Sequence, residues 1–213
     1  MEVLFLVFGI IFVLLLVWGF FWVTLNVFQW NFESPQRTAG RRGEDYARSV
    51  IRSIMKEGDV LISNVSLAVE GKPTEFDNIV VNDSGVFIIE VKNYVGQLYG
   101  TEDDYEWIKY KTTGGGNTYE KQVKNPIKQV KRQIYILSRF FKNNNVNVWI
   151  SGYVYFVHAN SPIASSYVVA SPADIDKAIH GKKAKGFGER EKRKVVELVE
   201  GLKKEENKLN ERR

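Results

Sequence analysis

The chain has 213 residues, 44% of them hydrophobic and 26% charged, which supplies the core of one ordinary domain with some chain to spare and excludes a disordered polymer. It contains no cysteine and two histidines, His158 and His180, so disulfide frameworks and thiolate zinc clusters are excluded and any bound metal would be held by oxygen. The formal net charge of +5 tilts the expected partner toward an anion without identifying it.

The stretch from Val3 to Trp30 carries no charged side chain and is long enough for a helix to cross about 30 Å of hydrocarbon. No Lys or Arg precedes it and no small-x-small site follows, so it reads as an uncleaved anchor rather than a signal peptide. Trp18, Trp22 and Trp30 fit an interfacial aromatic belt at its C-terminal end. Arg37, Arg41 and Arg42 beyond the span, against Glu2 before it, predict a single-pass protein of the cell membrane with its C-terminal domain in the cytoplasm. Residues 1–30 are thus the expected transmembrane anchor and 31–39 a linker.

"RRGEDYARSVIRSIMKEG" then places Tyr46, Val50 and Ile54, flanked by Ala47 and Ile51, at helical spacing, and Gly58 stops the helix. "DVLISNVSLAV" reads as a strand, "EFDNIVV" and "VFIIEVK" as two more around the turn "NDSG", "GQLYGT" and "YEWIKYK" as a further hairpin, and "TTGGGNTYEKQ" as a loop. A second helix opens at "KNPIKQVKRQIYILSRFF", with Asn125 as cap and Pro126 in its first turn, and "NNN" ends it. "VNVWISGYVYFV" is a buried strand, "SYVVAS" a short one, and "SPADIDKAIHG" a helix capped by Ser171 with Asp174. From Gly181 onward the chain is rich in Lys and Glu, and 181–213 is expected to be a charged helical tail.

The central hairpin carries the chemistry. If its strands pair antiparallel through "NDSG", paired positions sum to 167, Val81 lies opposite Val86, Asp77 faces Glu90 and Glu75 faces Lys92. Side-chain alternation puts Glu90 and Lys92 on one face, with Phe87, Ile89 and Val91 on the other. Two carboxylates directly opposite repel each other, and burial worsens this unless one keeps its proton or a cation intervenes. Two carboxylates with waters make an ordinary magnesium site, and a neighbouring ammonium can steady water or phosphate charge. A structural salt-bridge network is the competing reading of the same residues.

The chain resembles the nuclease-related domain (NERD) family, a branch of the PD-(D/E)xK nuclease-like superfamily, in "RRGE", "TEFDNIVVNDSGVFIIEVKNYVG" and "NPIKQ", over about Gly40 to Ala170. The resemblance implies an α/β fold of restriction-endonuclease type, a central mixed β-sheet flanked by helices, with residues 40–180 as the nuclease-related domain. It also implies that Asp77, Glu90 and Glu44 bind a divalent metal, Mg²⁺ or Mn²⁺, and that Lys92 and Gln129 complete a catalytic site for phosphodiester hydrolysis. The expected partners are nucleic acid, DNA favoured over RNA, and the membrane. The Q-x-x-x-Y motif of some relatives is absent, since Gln129 is followed by Gln133, which leaves the role of Gln129 open.

Other candidates carry bland readings. Glu44 also suits the first turn of a helix on dipole grounds alone. Lys128, Lys131 and Arg132 read as a solvated helix face as readily as a phosphate contact. "GGG" after Thr112 lacks a P-loop ending. His158 could reach the site from the strand edge, whereas His180 reads as a helix C-terminal residue. Lys182, Lys183, Lys185, Arg193 and Lys194 could meet nucleic acid or anionic lipid, although interspersed Glu favours a solvated helix. Two functions of other classes stay open: a membrane-tethered module that binds nucleic acid without cleaving it, and a scaffold for protein or lipid.

Overall fold

The computed structural model describes residues 2–31, 34–69, 72–112, 114–181 and 187–211. The chain divides into two compact units, Met1–Ala39 and Gly40–Arg213.

The first unit is dominated by α1 (Glu2–Asn31), whose stretch Val7–Thr24 has a mean hydropathy of 2.5 and is unburied throughout. Thirty residues of α-helix extend about 45 Å, so α1 is long and apolar enough to span a membrane, and an N-terminal signal sequence would share that composition. The Trp30 side chain lies outside the described residues. α2 (Pro35–Ile54) begins inside the segment expected to be a linker. Ser34 explains the early start: its hydroxyl accepts the Arg37 N–H at 3.3 Å, its carbonyl accepts the Thr38 N–H at 3.1 Å, and Pro35 takes the first helical position.

The second unit is built on a five-stranded mixed sheet in the order β1 (Val60–Val69), β2 (Lys72–Asn82), β3 (Gly85–Lys92), β7 (Ile150–Phe156), β8 (Val168–Val169). The β1–β2 and β2–β3 pairs are antiparallel and the β3–β7 and β7–β8 pairs parallel, so the mixed sheet expected from the family resemblance is present. Helices cover both faces. On one, Ala47, Val50 and Ile51 of α2 and Ile175 and Ile179 of α4 (Pro172–His180) pack with Val80, Phe87, Ile89 and Val91. On the other, α3 (Pro126–Asn143) brings Ile127, Val130 and Leu137 against Ile79, Ile88, Val154 and Phe156.

A second, three-stranded sheet joins β4 (Gln97–Tyr99), β5 (Glu106–Thr112) and β6 (Thr118–Lys124). A loop is expected from the sequence where β6 lies; its seven-residue ladder to β5 supplies backbone pairing that a polar, mostly exposed strand does not advertise through hydrophobic alternation. The sheet docks through Trp107, which is fully buried, stacks on Phe156 at 6.1 Å and donates its indole N–H to the Thr101 carbonyl at 2.8 Å. Farther along, "VNVW" precedes β7 rather than joining it, and the Asn145 backbone turns at φ 56 beyond α3. His180 is clasped between Asp176, at 2.6 Å, and Asp59, at 2.9 Å, which ties α4 to the turn before β1.

The tail differs most from its reading. α5 (Glu189–Glu211) keeps Arg193 and Lys194 exposed but buries Val195 and Val199 completely in the cluster beneath β1 and β2. Lys192 is nearly buried as well, bonding Asp83 of the β2–β3 turn at 2.8 Å. Lys182, Lys183 and Lys185 lie outside the described residues. Val199→Ala should therefore lower stability by about 1–3 kcal/mol in thermal melts of the full chain. A solvated helix would show a change within about 0.5 kcal/mol.

Candidate active site

The site forms where the central sheet opens. β2 and β3 hold the expected register, Val81 opposite Val86, but their ladder ends at Asn78 opposite Ile89. Asp77 and Glu90, and likewise Glu75 and Lys92, were expected to be ladder partners and are not. The cause is local. The Asp77 Oδ2 accepts the Val91 N–H at 2.7 Å, taking the bond that a strand carbonyl would take, while β3 continues in parallel with β7 through Lys92 opposite Phe156. On the far side of β2 the ladder to β1 skips the pair of Asn64 with Asp77, and Asn64 adopts the left-handed φ of 56.

Alternation still holds, so Glu90 and Lys92 point to the face covered by α3. Glu90 is 2% exposed. Its Oε1 accepts from the Lys92 ammonium at 2.6 Å and from the Gln129 amide at 2.7 Å, and its Oε2 accepts from the Gln133 amide at 2.7 Å. The Gln133 amide also donates to the Glu75 carbonyl at 2.8 Å, on the strand that leaves β3 at Asp77. Gln133, which in the sequence marks only a departure from a motif, is thus a site residue. The signal that could have found it is its spacing: four residues after Gln129, it shares one face of an amphipathic helix.

Asn125 places both glutamines. Its Oδ1 accepts the Ile127 N–H at 2.9 Å as the α3 N-cap, while its amide NH₂ points at the carbonyls of Thr101, Glu102 and Asp104. Gln129 and Gln133 follow one and two turns into the helix.

Glu44 arrives through "RRGE". It lies in the middle of α2 and not in the first turn, so the helix-dipole reading does not apply. A Cβ on Gly43 would stand 2.5 Å from Cβ of Asn93, just past β3, so only glycine lets α2 approach the strand end this closely. Glu44 is within the field of the site: burial first, then the charge of Glu90 among its neighbours, raises its pKa against the opposing pull of Arg48.

Repulsion is the electrostatic signature here. Burial foremost, then Glu90, pushes Asp77 from its ordinary 3.8 up to about 7, although the Val91 N–H and Lys92 pull the other way. Burial draws the Lys92 ammonium down, but Glu90, Tyr94 and Asp77 outweigh it and hold the ammonium above its usual range. Among the described residues no three carboxylate or imidazole groups stand close enough to cage a cation. The donor chemistry of the Asp77–Glu90 pair nevertheless suits a hard cation. A carboxylate has about four acceptor positions; the bonds above fill three on Glu90 and one on Asp77.

A cleft of about 860 Å³ borders the site, and Gln129 and Gln133 belong to its wall together with Tyr105, Lys124, Lys128 and Arg132. The Lys128 ammonium stands 4.2 Å from the centre of the Tyr105 ring. Lys131 turns elsewhere, to Glu102 at 2.7 Å. His158 is exposed in the turn beyond β7.

Asp77 binds its proton more readily folded than unfolded. Its contribution to stability is complete below about pH 4 and is lost as pH rises through about 7. In chelator, wild-type stability should fall across that window, by at most roughly 4 kcal/mol. Asp77→Asn, whose side chain can still accept the Val91 N–H, should flatten the fall and keep or raise the melting temperature at pH 8. Loss of stability in Asp77→Asn at every pH would identify a structural salt-bridge network instead.

No solved structure matches the chain. A curated protein of Bacillus anthracis, described as uncharacterized, is 32% identical over 71 residues, which is 33% of this chain and 34% of that protein, so the match spans about a third of the relative's length. The family model described as Nuclease-related domain matches residues 39–157, a span that holds α2 with Glu44, the hairpin with Asp77, Glu90 and Lys92, and α3 with both glutamines. The chain belongs to the nuclease-related domain (NERD) family.

Proposed function

We propose that the chain is a metal-dependent nuclease that hydrolyses phosphodiester bonds in nucleic acid, and that α1 anchors it in the cell membrane with the second unit in the cytoplasm. The observation that carries the chemistry is the buried Glu90 with the half-buried Asp77 beside the Lys92 ammonium, in a chain of the nuclease-related family. The cleft is walled in part by Gln129 and Gln133, whose amides bond Glu90, and would seat the substrate strand beside the site.

Asp77 and Glu90 would hold Mg²⁺ or Mn²⁺, with Glu44 adding negative charge nearby. Such a cation supplies Lewis-acid chemistry toward a phosphoryl oxygen and relieves the repulsion between the acids. The rest falls to the chain. Gln129 and Gln133 lock the Glu90 carboxylate in one orientation, so no reorganisation is needed when substrate binds. Lys92 stays protonated at neutral pH and presents a positive charge where a water or a phosphate oxygen gathers negative charge. Water adds to phosphorus, the P–O bond to the leaving sugar oxygen breaks, and the proton released by water replaces the one that oxygen takes up.

The full chain should cleave labelled DNA with Mg²⁺ or Mn²⁺ and not with Ca²⁺ or chelator. Lys92→Ala should lower turnover at least about a hundredfold while leaving metal-induced stabilisation intact. Retention of DNA with no cleavage under any metal would favour a binding module, a role compatible with the three donors already on Glu90. For the anchor, a reporter fused after Arg213 should be cytoplasmic, and the protein should stay in the membrane fraction through high-salt and alkaline washes. Release by salt would rule out a spanning α1.

A further inference from the structure

The second sheet gathers three lysines on one face. β5 and β6 pair Trp107 with Val123, Lys109 with Lys121 and Lys111 with Tyr119, all on one side, while Glu106 with its partner Lys124, and Glu120, fall on the other. Glu120 accepts the Tyr110 hydroxyl on that opposite side, at 3.1 Å. The first side is buried at Trp107 and at Leu98 of β4 and turns basic as it leaves the core. Lys109 and Lys121 are direct cross-strand partners, an arrangement that like charges make unfavourable. Burial first, then Lys121 and Lys111, lowers the Lys109 pKa.

This basic side adjoins the candidate active site. The Lys109 ammonium stands 5.4 Å from the centre of the Tyr94 ring. Tyr94 follows Lys92 by two residues and feels the charges of both Lys92 and Glu90. We infer that Lys109, Lys111 and Lys121 form a phosphate-binding face that holds the backbone of a nucleic acid beside the Asp77–Glu90–Lys92 site, independently of its sequence. The inference rests on nucleic acid being the substrate. Its physical basis is charge complementarity: a polyanion is the occupant that removes the lysine–lysine repulsion, and binding through phosphates needs no base recognition.

The test is fluorescence anisotropy of the full chain, in zwitterionic nanodiscs and Ca²⁺ so that nothing is cleaved, with a labelled single-stranded DNA, its duplex and the matching RNA. Lys109→Gln/Lys121→Gln should weaken binding roughly tenfold and reduce the slope of log affinity against log salt by about 2 on duplex, since each phosphate that a lysine neutralises adds about 0.9 to that slope. Because the change removes a repulsion, its melting temperature should equal or exceed that of wild type, whereas lysines kept for the fold would make it fall. Unchanged affinity and slope in the double variant, with wild type binding, would overturn this face and leave the nuclease reading standing. Binding that depends on the lysines without cleavage under Mg²⁺ would uphold the face and defeat the chemistry. A wild type that binds none of the three probes would overturn both. Saturable binding of soluble short-chain phosphatidylserine by wild type that the double variant loses, with nucleic-acid affinity kept, would reassign the lysines to lipid headgroups.

Discussion

The carboxylate of Glu90, at 2% exposure inside a β-sheet, sets the terms for the second unit. An ion taken out of water is tolerated only when donors and countercharge replace its hydration, and an uncompensated one costs several kcal/mol. Lys92 supplies the countercharge from two residues along the same strand, and Gln129 and Gln133 supply donors from a helix laid across that face. Those amides reach only if α3 is held at one height and rotation. The Asn125 cap, bonded at once to its own helix and to three carbonyls of the β4–β5 loop, does this. The Gln133 bond to the Glu75 carbonyl then fastens β2 where it departs from β3.

The departure of β2 from β3 matters as much as the pairing before it. Were the ladder to run on, Asp77 would meet Glu90 at the short spacing of a cross-strand pair, with no room for anything between. Asp77 instead accepts the Val91 N–H, and Asn64 takes a left-handed conformation where the β1–β2 ladder skips its pair with Asp77. The acids remain near enough for Glu90 to help raise the Asp77 pKa, yet they are no longer paired in the ladder. Gly43 has a comparable part on the other side, permitting the close approach to Asn93 that carries Glu44 into the same field.

Beside this acidic pair, the second sheet opposes Lys109 to Lys121 near Tyr94, so the strand end of β3 lies between two like-charge arrangements of opposite sign. Like charges so placed oppose each other. On the proposed reading both are settled by one ligand, a phosphodiester with its cation, and the strain is local to function in the way that active sites commonly concentrate it.

Much of this was legible in the chain by itself. Hydrophobic alternation and the "NDSG" turn determined the register of β2 with β3 and the face shared by Glu90 and Lys92, because side-chain direction in a strand depends only on parity. Asn125 and Pro126 announced the start of α3, since capping chemistry is local. The apolar run of α1 needed only composition. What depended on partners distant in sequence was not legible. Gln133 became a site residue only when α3 lay on β3, forty-three residues away. The polar strand β6 took its pairing from β5 rather than from any pattern of its own, and Val195 and Val199 found the core although charged neighbours made their helix read as solvated. The end of the β2–β3 ladder likewise came from a competition between backbone and side chain for the Val91 N–H, which three-dimensional geometry decides and local sequence does not.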